Sequence, residues 1–292
     1  MAQSFWFPLS QECYCIIRQQ VARLPRSRKT DPMPFTMLCW NILAPIHVRP
    51  ERYPAVPAEI LDGPSRLARI IARLRALDPD AIALQEVEPE WAGSIADALR
   101  DREYDWRLTL KQQYRLEGVA LFVRRRVFGP TRFDELFYRE DGPGISPTGN
   151  IAILARATFE GRPLTLATTH IKWELPEVPI ERHRGVMQTT QLAQALSDGP
   201  PAIVCGDFNA TTDSPVLAPL HGLGLTDPFA PADQPTGTFN RIASRIDFML
   251  HSPELSGRGD RILPLNESSI LPSSDEPSDH LALSSHFVWK QG

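Results

Sequence analysis

The fold class predicted for this chain is α/β: a four-layer sandwich of two packed mixed or antiparallel β-sheets flanked by helices. Two observations accord with it. Short apolar runs alternate with amphipathic stretches of helical period in a two-part rhythm. A chain of 292 residues with 42% hydrophobic content can also bury a large core, as one domain or two intimate halves. Sheets stacked face to face with helices outside satisfy that order.

Taken in order, residues 35–41 form a strand, followed by a proline-rich loop over 45–64. A helix over 65–77 carries Leu67, Ile70, Ile71 and Leu74 on one face. A strand over 81–86 precedes a second helix near 90–100, with Trp91, Ile95 and Leu99 on its buried side. Strands follow near Leu108 and over 119–123, 151–157 and 164–170. The second half repeats the theme, with a helix from about 180 to 196, the strand around Ile203, a short helix near 214–220, the strand around Ile246 and a closing strand over 281–288. Residues 1–32 read as a basic N-terminal extension of weak order, ahead of a body over 33–292. Arg18, Arg23, Arg26, Arg28 and Lys29 stand there against only Glu12 and Asp31.

Composition removes alternatives. No apolar stretch approaches the roughly 20 residues of a membrane-spanning helix. Cys13, Cys15, Cys39 and Cys205 show no metal-binding spacing, which favours a reduced, cytoplasmic compartment over a secreted disulfide scaffold. The net charge of −4 neither announces nor excludes a nucleic-acid partner. The Arg124-Arg125-Arg126 run reads either as a phosphate track or as a solvated strand end before the turn at Gly129-Pro130. No membrane contact and no obligate protein partner are expected.

Chemistry enters with Gly206-Asp207-Phe208-Asn209, which ends the apolar run Ala202-Ile203-Val204-Cys205. Strand alternation would turn Asp207 and Asn209 to one face and Phe208 to the other. Alone, the tetrapeptide reads equally as a turn. Three further acids end or interrupt distant apolar runs: Glu86 after Ala81-Ile82-Ala83-Leu84-Gln85, Asp247 within Arg245-Ile246-Asp247-Phe248-Met249-Leu250, and Asp279 within Pro277-Ser278-Asp279-His280. Acids converging on one pocket repel unless a cation compensates them. Carboxylate, amide and water oxygens suit Mg2+ or Mn2+, whereas zinc favours histidine and cysteine.

These strings, together with Met37-Leu38-Cys39-Trp40-Asn41-Ile42-Leu43, Gly118-Val119-Ala120-Leu121-Phe122 and Thr168-Thr169-His170-Ile171-Lys172-Trp173, resemble the endonuclease/exonuclease/phosphatase superfamily with a deoxyribonuclease-I-like fold. The likeness spans roughly residues 35–289. It implies water attack on phosphorus. Mg2+ would be held by Glu86 with Asn41 and Asp279 near it, and Asp207 would orient or deprotonate the water. Asn209 would bond the phosphate or the metal's water shell and His170 the phosphate, while His280, oriented by Asp247, would donate to a non-bridging oxygen. Asn150 either faces this site or serves the turn after Pro147-Thr148-Gly149.

The intervals are most similar to the deadenylase and nocturnin-like branch, which implies a nucleic acid or phosphorylated nucleotide as substrate. Two departures bear on specificity. That branch tends to carry Trp-Asp-Pro where this chain has Trp173-Glu174-Leu175-Pro176, and an aromatic close before the late acid, where Phe239 is the nearest ring. Stacking is worth about 1–3 kcal/mol per base, so poly(A) selectivity is not expected. Trp173 and Phe239 are the candidate substrate contacts. A phosphomonoesterase acting on a small phosphorylated metabolite and a catalytically dead scaffold are the competing readings.

Overall fold

Polar alternation along each strand sorts the chain into four layers. The computed structural model describes residues 33–113, 116–142, 144–175, 177–229, 238–239, 245–260, 265 and 268–291. The expected order of residues 1–32 and the segment 242–244 before the late acid lie outside them. The strands are β1 Phe35–Asn41, β2 Ala81–Val87, β3 Tyr104–Leu110, β4 Gly118–Arg124, β5 Arg132–Phe137, β6 Ile151–Phe159, β7 Arg162–His170, β8 Ala202–Asp207, β9 Asp247–His251, β10 Leu255–Gly259 and β11 Leu283–Trp289. They form one sheet in the order β10-β11-β1-β2-β4-β3 and a second in the order β5-β6-β7-β8-β9. Both are mixed, because β1 runs parallel to β2 and β7 parallel to β8 while the other neighbours are antiparallel.

The period of two is visible in β1. Phe35, Met37 and Cys39 enter the core between the sheets with Ile153, Ile203 and Cys205. Leu38 and Trp40, with Ile42 beyond the strand end, enter an outer core with Ile70 and Leu74 of the Gly63–Leu77 helix and Trp91 and Ile95 of the Pro89–Ala98 helix. On the far side Ala152, Leu154 and Val204 meet Leu192 and Leu196 of the Arg184–Ser197 helix. The sandwich is therefore helix, sheet, sheet, helix, as its sequence predicts.

Local differences have local causes. The helix expected from about 180 begins at Arg184: residues Ile180–Arg182 form a 3-10 turn after Pro179, and His183 Nδ1 caps the helix by accepting the Val186 N–H at 3.4 Å. The helix expected near 214–220 is only Ala218–His221. Strands β5 and β10 escape the apolar pattern because both lie at sheet edges, where side chains such as Arg132, Glu135 and Arg258 face water. In the arginine run Arg125 and Arg126 are exposed, as a solvated strand end would be, and only Arg124 departs from that reading. Arg124 is 2% exposed and held by Asp78 at 2.5 Å and Asp80 at 3.2 Å, while Arg125 pairs with Asp105. It stands opposite Tyr104, at the end of β4 remote from Gly118. Among the described residues no helix is long and apolar enough to cross a membrane.

Candidate active site

At one end of the sandwich the strands' inward positions change from apolar to polar. Asn41 follows Phe35, Met37 and Cys39 on β1, and Gln85 follows Ala81 and Ala83 on β2. Thr168 and His170 follow Leu164 and Leu166 on β7, and Asp207 follows Ile203 and Cys205 on β8. Asp247 opens β9, where it pairs in register with Asp207, which pairs in turn with His170. A cross-sheet bond from Gln85 Nε2 to Thr168 Oγ1, 2.9 Å, forms the floor where the apolar core stops.

Backbone irregularities aim two of the side chains. Glu86 does not simply end its strand: it occupies a β-bulge between Gln85 and Val87 at φ 57°, which re-aims its carboxylate out of the pleat. Strand β8 stops at Asp207, so Asp207 and Asn209 do not converge by alternation. Asn209 sits at φ 50° and gives its N–H to Asp207 Oδ1 at 2.9 Å, closing an Asx turn. Phe208 does enter the opposite layer, edge-on to Phe248. Gly206 is required by backbone approach, since a Cβ there would lie 2.0 Å from the Thr169 carbonyl oxygen.

Asp207, 1% exposed, is the hub. Asn41 Nδ2 donates to Asp207 Oδ2 and to Glu86 Oε1, each at 3.0 Å. Glu86 Oε2 accepts the Ala44 N–H at 3.1 Å. His280 Nδ1 lies 2.9 Å from Asp247 Oδ2, and its Nε2 lies 3.7 Å from Asp207 Oδ2. His170 Nε2 is 3.1 Å from Asn209 Nδ2 and 3.5 Å from Asp207 Oδ2. Phe239 bridges to His280, their ring centroids 4.7 Å apart, and Asn150 is 6% exposed immediately before β6. Trp173 is 54% exposed on the loop after His170.

Three functional neighbours escaped the sequence reading. Tyr53, in the proline-rich loop, donates its hydroxyl to Asp279 Oδ2 at 2.9 Å. Buried Arg66 donates to the carbonyls of Ile42, Leu43 and Pro277 at 2.6–2.7 Å, fastening the segment after β1 to the segment before Asp279. Lys111 Nζ lies 2.5 Å from Glu117 and 3.5 Å from His170 Nδ1. Lys111 and Glu117 flank the β3–β4 connection, and the only signal was Glu117's place directly before the Gly118 string.

Burial, and then the nearby Asp247 charge, push the Asp207 carboxyl up to about 7. Burial opposes charge on His280, but Asp247 and Asp207 outweigh it and raise the imidazole to about 10. His170 is held well below its ordinary value by burial, with Lys111 and His280 adding to the effect. Asp207, Asp247 and His280 offer donor atoms within 4.8 Å of one another. The His280 ring lies between the two acids, 2.9 Å from Asp247 and 3.7 Å from Asp207, and half-buried Glu86 is a further carboxylate linked to them through Asn41. Among the described residues Asp247 Oδ1 and Glu117 Oε2 are buried without a hydrogen-bond donor. This hard, oxygen-rich set fits a divalent cation better than a thiophilic one.

The model of the endonuclease/exonuclease/phosphatase family matches residues 38–280. Protein angel of Drosophila melanogaster is 24% identical over 292 residues, covering 87% of this chain and 80% of its own length. Other relatives are longer: the match spans 46% of the Xenopus laevis CCR4-NOT transcription complex subunit 6-like-B and 30% of the rat Protein angel homolog 1. The human Nocturnin catalytic domain with bound sulfate superposes with a TM-score of 0.69 at 25% identity, covering 92% of this chain and 100% of that one. ANGEL2, described as a 2′,3′-cyclic phosphatase, gives 0.75 at 18% identity, covering 88% and 96%. The chain therefore belongs to the endonuclease/exonuclease/phosphatase family, hydrolases that act on phosphoester bonds.

Proposed function

We propose that residues 33–292 form a catalytic domain hydrolysing phosphodiester bonds of a nucleic acid or nucleotide, in the manner of a Mg2+-dependent 3′-exonuclease. One observation carries the reading: the linked set Glu86, Asn41, Asp207, Asn209 and His170 meets the Asp247–His280 pair at Asp207. Glu86, Asn41 and Asp279 would hold Mg2+, or Mn2+, which supplies countercharge to the phosphate oxygens and the leaving group. Asp207, with a carboxyl near neutrality, takes a proton from the attacking water. The Asn209 amide bonds the phosphate and keeps Asp207 in place through its own backbone N–H. His280 donates to a non-bridging oxygen as charge develops, and Asp247 fixes the ring for that purpose. His170, uncharged, is a second neutral donor. Trp173 offers an exposed face for a base, Phe239 lies against the His280 ring, and Asn150 is the remaining candidate substrate contact. The buried free thiols Cys39 and Cys205 accord with a reduced, cytoplasmic setting.

The test is a substrate panel of RNA and DNA oligomers, 2′,5′-oligoadenylate, RNA ending in a 2′,3′-cyclic phosphate, phosphorylated nucleotide cofactors and inositol phosphates. Each is scored with Mg2+ and with EDTA, with Asp207→Ala as control. Hydrolysis of a nucleic acid or nucleotide that EDTA abolishes is the expected result. Preference for a small metabolite over every polymer would remove the exonuclease reading, and an inert wild type would favour a scaffold.

A further inference from the structure

Where β6 begins and β7 ends lies a buried polar knot. Gln188, on the Arg184–Ser197 helix, is fully buried. Its Oε1 accepts the Lys172 N–H at 2.9 Å, and its Nε2 donates to Glu140 Oε1 and, at 3.0 Å, to Thr148 Oγ1. Glu140, 2% exposed, also accepts from the Thr148 backbone N–H and, at 2.5 Å, from the Thr148 hydroxyl. Thr148 Oγ1 accepts the Asn150 N–H at 3.2 Å, and the adjacent Gly149 carbonyl accepts the Gln112 N–H at 2.9 Å. One helix side chain thus ties two loops together, the one after His170 with Lys172 and Trp173 and the one leading to Asn150, and the second of these holds the β3–β4 connection through Gly149.

A carboxylate is withdrawn from water only where donors surround it, and among the described residues those of Glu140 are Thr148 and Gln188. Strands β6, β7 and β8 are already paired in their sheet, and the helix is anchored by Leu192 and Leu196. Loss of the knot therefore loosens the loops and leaves the layers intact. We infer that Gln188, with Glu140 and Thr148, is a positioning centre that sets how tightly a nucleotide is held, and leaves the bond-breaking step alone. The inference rests on the nucleotide-hydrolase reading above.

The full chain, with Mg2+, is tested as wild type, Gln188→Ala, and the exchange Glu140→Gln with Gln188→Glu, which preserves charge and the number of donors. The probes are a short oligoadenylate and bis(4-nitrophenyl) phosphate, which fills little beyond the reaction centre. Hydrogen exchange is followed in parallel by mass spectrometry. For Gln188→Ala, the KM for oligoadenylate should rise roughly tenfold while kcat stays within about twofold, as loss of loop-ordering hydrogen bonds predicts. Bis(4-nitrophenyl) phosphate turnover should not change. Exchange should quicken over 144–150 and 171–175 while β7 and β8 stay protected, and the exchanged pair should recover KM. An unmoved KM, an equal kcat loss on both probes, or exchange spreading through β7 and β8 overturns the inference. A wild type inert on both probes overturns the hydrolase reading instead. Exchange then decides the knot, and unchanged loop protection in Gln188→Ala refutes it.

Discussion

Asp247 reaches the reaction chiefly by orienting His280, beside the charge it sets next to Asp207. Its Oδ2 faces the ring Nδ1 at 2.9 Å, so removing the carboxylate leaves an imidazole without its orienting charge, and removing the ring leaves the carboxylate nothing to orient. Asp247→Asn and His280→Ala should each lower kcat by about 10²–10³-fold, within the range for a positioned proton donor. The double variant should fall no further than the worse single, which steady-state kinetics on the four proteins measures. Additive losses would show that the two side chains act separately. Both residues were legible because each stands in a string of fixed chemistry, Ile246-Asp247-Phe248 or Ser278-Asp279-His280. Tyr53 was not. Its hydroxyl meets Asp279 across 226 positions of sequence, from a loop whose inward-facing members follow no period.

Strand β8 places Asp207 by running close to β7, and Gly206 makes that approach possible. A methyl group at 206 cannot coexist with the Thr169 carbonyl 2.0 Å away. Gly206→Ala should therefore force β7 and β8 apart, destabilising the protein by about 1–3 kcal/mol and displacing both His170 and Asp207. Thermal unfolding and activity should fall together. Gly93→Ala is the contrast: nothing lies within 4 Å of its Cβ position, and it sits in the Pro89–Ala98 helix, where alanine should be neutral or stabilising. Normal stability in Gly206→Ala would count against the packing argument. Element positions were readable wherever one face or both were apolar, as in β1, β2, β7 and β8. Edge strands β5 and β10 lacked that pattern. The convergence of Asp207 with Asn209 was foreseen for a reason that does not hold, because period two cannot report a left-handed residue at 209. The bulge at Glu86 is hidden in the same way.

Across the whole molecule, acid should act partly through Glu117. Burial opposes its charge, yet hydrogen bonding to His47 and the Lys111 ammonium hold its carboxyl below the usual range. A carboxyl lowered in the folded state adds stability above its unfolded pKa, near 4.3, which is lost as pH falls through the folded value. The melting temperature should therefore drop below about pH 4.3. Glu117→Gln should melt lower at neutral pH and lose less on acidification, and equal acid slopes would exclude this role. The plane between the sheets also divides the reaction centre. Asn41, Glu86 and His280 belong to one slab, and His170, Asp207 and Asp247 to the other, joined by Asn41 to Asp207 and His280 to Asp247. The reaction centre is thus a caliper on the spacing of the two slabs. A drift of about half an ångström, too small to register as unfolding, is enough to put proton donor and acceptor out of reach. Warming should silence this protein while its architecture still stands.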